Sequence, residues 1–557
     1  MANQLAVNTA NAGVSADGCC TPKADKSPQK MSVTPRRVLP IIFLPGIMGS
    51  NLRMTAKRQA LLRYTNNIAW RPDDLSEGAA LLKASPADRQ QQLDPDTTEV
   101  DIYHPDGPTG DKSSSAKQRH TINGIQVHLN VGVDTPLLTD DAITVDGKRK
   151  TKEMKARERG WSEVYFDSYR RLLETCEENL NSPFAYGYWK DIFDVAPEKW
   201  SASPSPSLPP LSFEECKKAL AACWYPVHAM GYNWLKSNEE SGVEVAKRIR
   251  SLIENYRSQK YVCEKVIIVT HSMGGLVARA VIHPEMGGLE ADVLGIVHGA
   301  MPAIGAPAAY KRMRCGFEEQ ALGIGVAPKI LGNFGNEVTA VMGNSRGGLE
   351  LLPSKAYGNG WLEIRKNGTL LQSLPTKEDP YAEIYKLRGK WFSLLRDEWI
   401  NPAQLPLRGF ERSCILLDSA KKFHERINST YHPLSYAHYS AESTRASWAL
   451  ISWELDKKYG GSDWQNLTIS SDGRQGKFQV NDPKDASKSF DVSLGPSVGA
   501  GDQTVPLRSA EHQLHSGKFK GIFRQVGYAH QDSYQDPTAL KSTLYSLVRI
   551  IETMRWS

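Results

Sequence analysis

Three short stretches hold residue types that together perform nucleophilic acyl transfer. Ser272 stands in Thr270-His271-Ser272-Met273-Gly274, directly after the apolar run Lys265–Thr270 (KVIIVT) and at the head of a helical pattern over Met273–Ile282. A serine on a strained strand-to-helix turn exposes its hydroxyl and aims a helix N-terminus at a developing oxyanion. Position 270 carries Thr where the pattern G-x-S-x-G has Gly, and serine also serves as a plain helix cap, so this stretch alone leaves nucleophile and cap both open. Asp502, in the Gly-rich loop Gly499–Pro506 (GAGDQTVP), would hold a histidine in the correct tautomer and stabilise its charged form. Its rival is Asp418, closing the run CILLD, and Asp502 also reads as a turn residue bonding its own backbone. His530, in Gly527–Ser533 (GYAHQDS), would serve as general base; His512 and His515 are alternatives in a polar segment, and His271 and His298 read as structural residues at strand ends. Leu44–Ser50 (LPGIMGS) could turn a backbone N–H of Ile47, or next Met48, to meet that of Met273 and form an oxyanion hole; a tight turn without catalytic role is the other reading.

Positioning these residues requires strands that end together. Val38–Leu44 (VLPIIFL) is a continuous apolar run, as a strand buried on both faces demands. Strand-like segments recur at Tyr225–Trp234, Lys265–Thr270 and Val293–His298, with helical patterns at Glu240–Ser258 and Met273–Ile282 between them. Gly521–Gly527 and Thr538–Met554 add a strand and an amphipathic helix at the other end of the chain. Alternation of this kind predicts an α/β sheet, and the order Ser, Asp, His is that of the α/β-hydrolase fold. The expected class is therefore α/β: an α/β-hydrolase with a large cap insertion after the fourth recognised strand. The expected organisation is a disordered arm over 1–36, a first core part over 37–304 with an insertion at about 54–200, a cap over 305–495, and a final core part over 496–557 bearing the Asp and His loops. Trp464–Gly495 reads as a small β subregion of the cap, and the apolar, Gly-rich run Ala321–Phe334 as either a lid or an ordinary buried loop.

The chain is 557 residues long, enough for a large core. A net charge of +6 is too weak a basic bias to argue for nucleic acid. The arm lacks the apolar stretch of a Sec signal, and no window reaches the roughly 20 apolar residues of a membrane span. Eight cysteines are too sparse for a disulfide framework and favour reduced thiols; no His/Cys/Asp cluster has metal-ligand spacing, so neither metal nor cofactor is expected.

LPGIMGS, THSMGG and GDQTVP together resemble the serine lipases of the lecithin:cholesterol acyltransferase and PGAP1-like groups. The arm without a signal, WYPVHAMGYNWLKSNEESG (224–242), GGLELLPSKAY (347–357) and YAHQDSY (528–534) are similar to bacterial type VI secretion lipase effectors, over roughly 37–300 and 340–550. That resemblance implies an antibacterial phospholipase acting on membrane phospholipid, with a cognate immunity protein and a secretion spike or adaptor component as partners. It further implies synthesis in the bacterial cytoplasm, secretion without a Sec signal, and action in the target-cell periplasm or at its membrane. The residues themselves also allow an acyltransferase or soluble-ester hydrolase on the same triad, or a non-catalytic hydrolase-like binding module.

Overall fold

A computed structural model describes residues 35–557 except 65, 74–80, 104–120, 123–124, 127–128, 145–146, 148, 183–187, 222 and 318–330, and before them the backbone of 6–10, 13–18 and 29–33. Its centre is a six-stranded sheet built from β1 (Ile41–Leu44), β2 (Val227–Ala229), β3 (Val266–His271), β4 (Val293–Gly299), β5 (Ser435–Ser440) and β6 (Phe519–Gln525). The spatial order is β2-β1-β3-β4-β5-β6 and every pairing is parallel, so all six strands deliver their C-terminal ends to one edge.

Parallel strands are buried on both faces, and alternate residues supply two separate cores. Ile42, Leu44, Val266, Ile268 and Ile296 face one core; Ile41, Phe43, Ile267, Val269 and Val297 face the other. The second core is covered by α1 (Phe166–Asn181), and the first by α2 (Asn238–Ser258) and α3 (Gly274–Ile282). Further along the chain come α4 (Pro307–Cys315), α5 (Gly335–Met342) and α6 (Phe410–Ile427), and α7 (Pro537–Ile551) closes the second core. The starts of α2 and α7 are written locally: Ser237 accepts the Glu240 N–H, and Asp536 accepts the N–H groups of Thr538 and Ala539 with Pro537 in the first turn.

Several expectations are corrected. The run Val38–Leu44 is broken, because Pro40 has no N–H to give a ladder; Arg37–Val38 pairs with Cys223–Trp224, and only Ile41–Leu44 enters the central sheet. Tyr225–Trp234 shortens to Val227–Ala229. The stretch 305–495 is not wholly a cap, since it contributes β5. Its β region is also wider than Trp464–Gly495: a second six-stranded sheet runs Thr369–Leu374, Leu362–Lys366, Ile451–Leu455, Asp485–Leu494, Lys477–Asp482 and Thr468–Asp472. The arm expected to be disordered carries an antiparallel meander, Ala6–Ala10, Gly13–Gly18 and Gln29–Val33. Residues 321–330 of the expected lid lie outside the described residues.

Candidate active site

The site forms where the C-terminal ends of β1 and β3 meet the loops around residues 502 and 530. β3 ends at His271 and α3 begins at Gly274, leaving Ser272 on the turn with φ +52°, a left-handed value that is costly for a residue with a Cβ. The turn survives because its neighbours hold it. Ser272 N–H donates to Gly299 O at the end of β4 (2.8 Å), and a Cβ on Gly274 would stand 2.4 Å from Leu44 O and 2.5 Å from Pro45 O. Thr270, the departure from the usual pattern, is fully buried one step earlier and gives its carbonyl to the Tyr534 hydroxyl (2.9 Å).

Asp502, His530 and Ser272 form one directed chain. The carboxylate Oδ1 of Asp502 accepts the N–H groups of Thr504 (3.0 Å) and Val505 (2.6 Å), which fixes its plane. Its Oδ2 lies 2.7 Å from His530 Nδ1, and His530 Nε2 lies 2.8 Å from Ser272 Oγ. An ionised carboxylate only accepts, so the imidazole proton sits on Nδ1 and Nε2 is left to accept the Ser272 hydroxyl. His530 N–H also donates to Asp502 O (2.9 Å), tying the two loops by backbone as well as side chain.

The loop after β1 lies against Ser272. A Cβ on Gly46 would be 3.0 Å from both Ser272 Cβ and His271 Nδ1. Gly49 N–H returns to Gly46 O (3.0 Å) and Met48 has φ +61°, the signature of a type II turn with Ile47 and Met48 at its corners. The Met48 carbonyl is spent on the Trp70 indole N–H (2.7 Å). Ile47 and Met48 line the cavity in front of Ser272, while Met273 is buried at the head of α3.

That cavity is mostly apolar. Pro302, Ala306, Ala309, Met313, Val338 and Met342 form much of its wall, from segments the sequence had not singled out. Arg312, whose guanidinium donates to Thr504 Oγ1 (2.8 Å), is the only lysine or arginine among its described lining residues.

The other candidate residues lie apart from this chain, with the exception of His271. Asp418 is on α6, half-exposed and paired with Lys386 (2.7 Å). His512 and His515 meet edge to face, with ring centroids 5.1 Å apart. His298 is buried in β4 among Tyr431 and Phe519. His271 does reach the site, since its ring is 5.0 Å from that of His530. So does Tyr169 of α1, whose hydroxyl contacts Gly46 and His271; a tyrosine on the apolar face of a helix carries no sequence signal of such a role. Among the described residues no group of His, Cys, Asp and Glu could hold a metal ion, and no helix is long and apolar enough to cross a membrane.

Residues 233–320 match the PGAP1-like alpha/beta domain family. A chain from the crystal structure of the Tle4-Tli4 complex is similar over 93% of this chain and 99% of its own, with a TM-score of 0.72 and 30% sequence identity. No curated protein matches the chain. The fold is that of an α/β-hydrolase.

Proposed function

Because the chain belongs to the bacterial type VI secretion lipase effector family, we propose that it hydrolyses the carboxylic esters of membrane phospholipids through an acyl-enzyme on Ser272. The observation that carries this reading is the Ser272–His530–Asp502 chain, with links of 2.8 and 2.7 Å, opening into an apolar cavity. Ser272 Oγ attacks the ester carbonyl carbon as its proton passes to His530 Nε2, and Asp502 stabilises the imidazolium. The oxyanion is bound by the N–H groups of Met273 and Ile47, with Met48 the alternative to Ile47. The C–O bond breaks as His530 returns the proton to the leaving alcohol. Water then attacks the acyl-enzyme, gives a proton to His530 and releases the fatty acid.

The apolar wall suits an acyl chain, and Arg312 sets a positive charge beside the acid loop where a substrate phosphate would meet it. As an antibacterial effector the protein is made in the cytoplasm, carried out by a spike or adaptor component, and acts on the rival cell's membrane. Its producer is protected by an immunity protein, as the pairing in the Tle4-Tli4 complex suggests.

The deciding experiment is mass-resolved hydrolysis of phospholipid vesicles and of a short-chain ester by wild type, Ser272→Ala, His530→Ala and Asp502→Asn. Wild type is expected to release fatty acid, the first two variants to lose roughly 10⁴-fold or more, and Asp502→Asn about 10²- to 10⁴-fold. No fatty acid from wild type, or full activity in Ser272→Ala, would sink the reading; turnover of the short-chain ester alone would reject phospholipid as substrate.

A further inference from the structure

Tyr169 stands on α1, between the first two strands of the sheet and far in sequence from every triad residue, yet its hydroxyl reaches the centre of the site. The phenol oxygen accepts the Gly46 N–H at 3.1 Å and donates to His271 Nδ1 at 3.0 Å. His271 Nε2 lies 3.0 Å from the carbonyl oxygen of His530. A carbonyl only accepts, so Nε2 carries the proton and Nδ1 keeps the lone pair that receives the tyrosine hydroxyl. The chain therefore runs in one direction, from Gly46 N–H through Tyr169 and His271 to the His530 carbonyl. Reversing the imidazole would set a lone pair against that carbonyl.

Both side chains are buried at 1% exposure. Burial, reinforced by His530, holds the His271 imidazole well below its usual range, and burial pushes the Tyr169 phenol up, so both stay neutral. The rings cannot swing away: Phe43 packs 4.7 Å from Tyr169, and Tyr534 packs 6.0 Å from His271. The start of α1 grips the same loop a second time, since Ser168 Oγ accepts Gln531 Nε2 and Ser168 O accepts Gln535 Nε2, each at 2.6 Å.

We propose that Tyr169 and His271 are positioning residues for the reaction. Their hydrogen-bond chain spans from the turn that presents the Ile47 and Met48 N–H groups to the backbone of the general base, and holds both at a fixed separation around Ser272. Neither donates a proton to substrate; each acts through Gly46 and His530. The inference rests on the hydrolase reading and extends it to residues outside the triad. His271, which sequence reasoning placed as structural, and the insertion bearing Tyr169 thereby become part of the working site.

The test uses the full chain with Tyr169→Phe, His271→Gln and His271→Leu, steady-state hydrolysis of a short-chain ester, and the rate of Ser272 labelling by a fluorophosphonate. Tyr169→Phe is expected to lower kcat about tenfold with KM within about twofold, because an ångström of drift in a reacting group costs more than loss of substrate contact. His271→Gln keeps a donor near the Nε2 position and should recover most of kcat, whereas His271→Leu should not. Equal behaviour of the Gln and Leu variants, or wild-type kcat in Tyr169→Phe, overturns the proposal. The low-field proton resonance of the His530 Nδ1–H bond to Asp502 supplies a reading that needs no substrate. It should shift or broaden in Tyr169→Phe, and an unchanged resonance would likewise overturn the proposal. Should wild type neither turn over the ester nor take the label, the hydrolase reading falls, while this resonance still decides whether Tyr169 positions His530.

Discussion

Ser272 is held in a backbone conformation its own side chain resists. A φ of +52° costs an L-residue about 1–2 kcal/mol, a cost glycine does not carry. The strain serves the chemistry, because the same turn projects Oγ towards His530. Two variants separate strain from lost hydrogen bonding: both Ser272→Ala and Ser272→Gly lack the bond to His530, but only the first keeps a Cβ. Ser272→Gly should be the more stable of the two by about 1 kcal/mol in urea unfolding, after the extra chain entropy of glycine is subtracted. Equal stability, or a more stable alanine variant, would mean the strain in the elbow does not exceed the entropy that glycine adds to the unfolded chain. This part of the site was legible beforehand, since a serine after an apolar run and two following glycines specify the turn within a few residues. Tyr169 was not, because its partners at 46 and 271 are brought to it only by the packing of α1 on the sheet.

At the scale of elements, the helix that follows Ser272 is tied to the region after β4 by one buried cation. Arg279 on α3 donates through Nη1 to Ala303 O (3.0 Å), through Nε to Thr430 O (3.1 Å), and through Nη2 to Ile427 O and Asn428 O at the end of α6. Its guanidinium also lies 4.2 Å from the centre of the Tyr431 ring. A helix C-terminus presents unpaired carbonyls and partial negative charge, which a planar guanidinium meets at several points and an ammonium cannot. Arg279→Lys should therefore cost about 2–3 kcal/mol of stability through buried carbonyls left without donors, read as a lower thermal midpoint. An unchanged midpoint would show that this contact carries little. Other elements escaped the sequence for a related reason. β5 (SYAHYS) is buried along its whole length yet mostly polar, so it gives no apolar run. Its serine hydroxyls are satisfied by backbone carbonyls, Ser435 Oγ by the nearby His432 O and Ser440 Oγ by the distant Gly501 O, each at 2.8 Å. Strands of the second sheet were hidden differently: Thr369–Leu374 lies at an exposed edge, where Leu370 and Leu371 face solvent and hydropathy alternation does not apply.

Across the whole molecule, burial of ionisable groups sets how stability depends on pH. Burial lowers His298 and His438 to about 3 and His424 to about 4, and holds His228 and His271 well below the ordinary 6.5. Burial acts in the opposite direction on carboxyls, raising Glu350 to about 8 and Asp73 to about 7 and shifting Glu163, Glu178 and Asp532 upward. Above about pH 6.5 the histidines are neutral in both states and contribute no slope. There the fold keeps protons on Glu350 and Asp73 that the unfolded chain has released, so their contribution is lost as pH rises through 7 and 8. Below about 6.5 the unfolded chain takes up protons on seven histidines whose folded-state affinity burial lowers, His432 and His512 included, and the five raised carboxyls offset only part of that uptake. Each uncompensated proton is worth about 1.4 kcal/mol per pH unit, so stability falls on acidification. Stability should thus be greatest near pH 6.5, and urea midpoints at pH 5 and 8.5 should both lie below the midpoint there; a midpoint at pH 5 equal to or above it would refute this balance. His298 offers a way to remove one proton from the sum, because neither ring nitrogen has a hydrogen-bond partner among the described residues and the ring lies between Tyr431 and Phe519. His298→Phe should therefore fold and flatten the acid limb by about 1.4 kcal/mol per pH unit while leaving the alkaline limb in place.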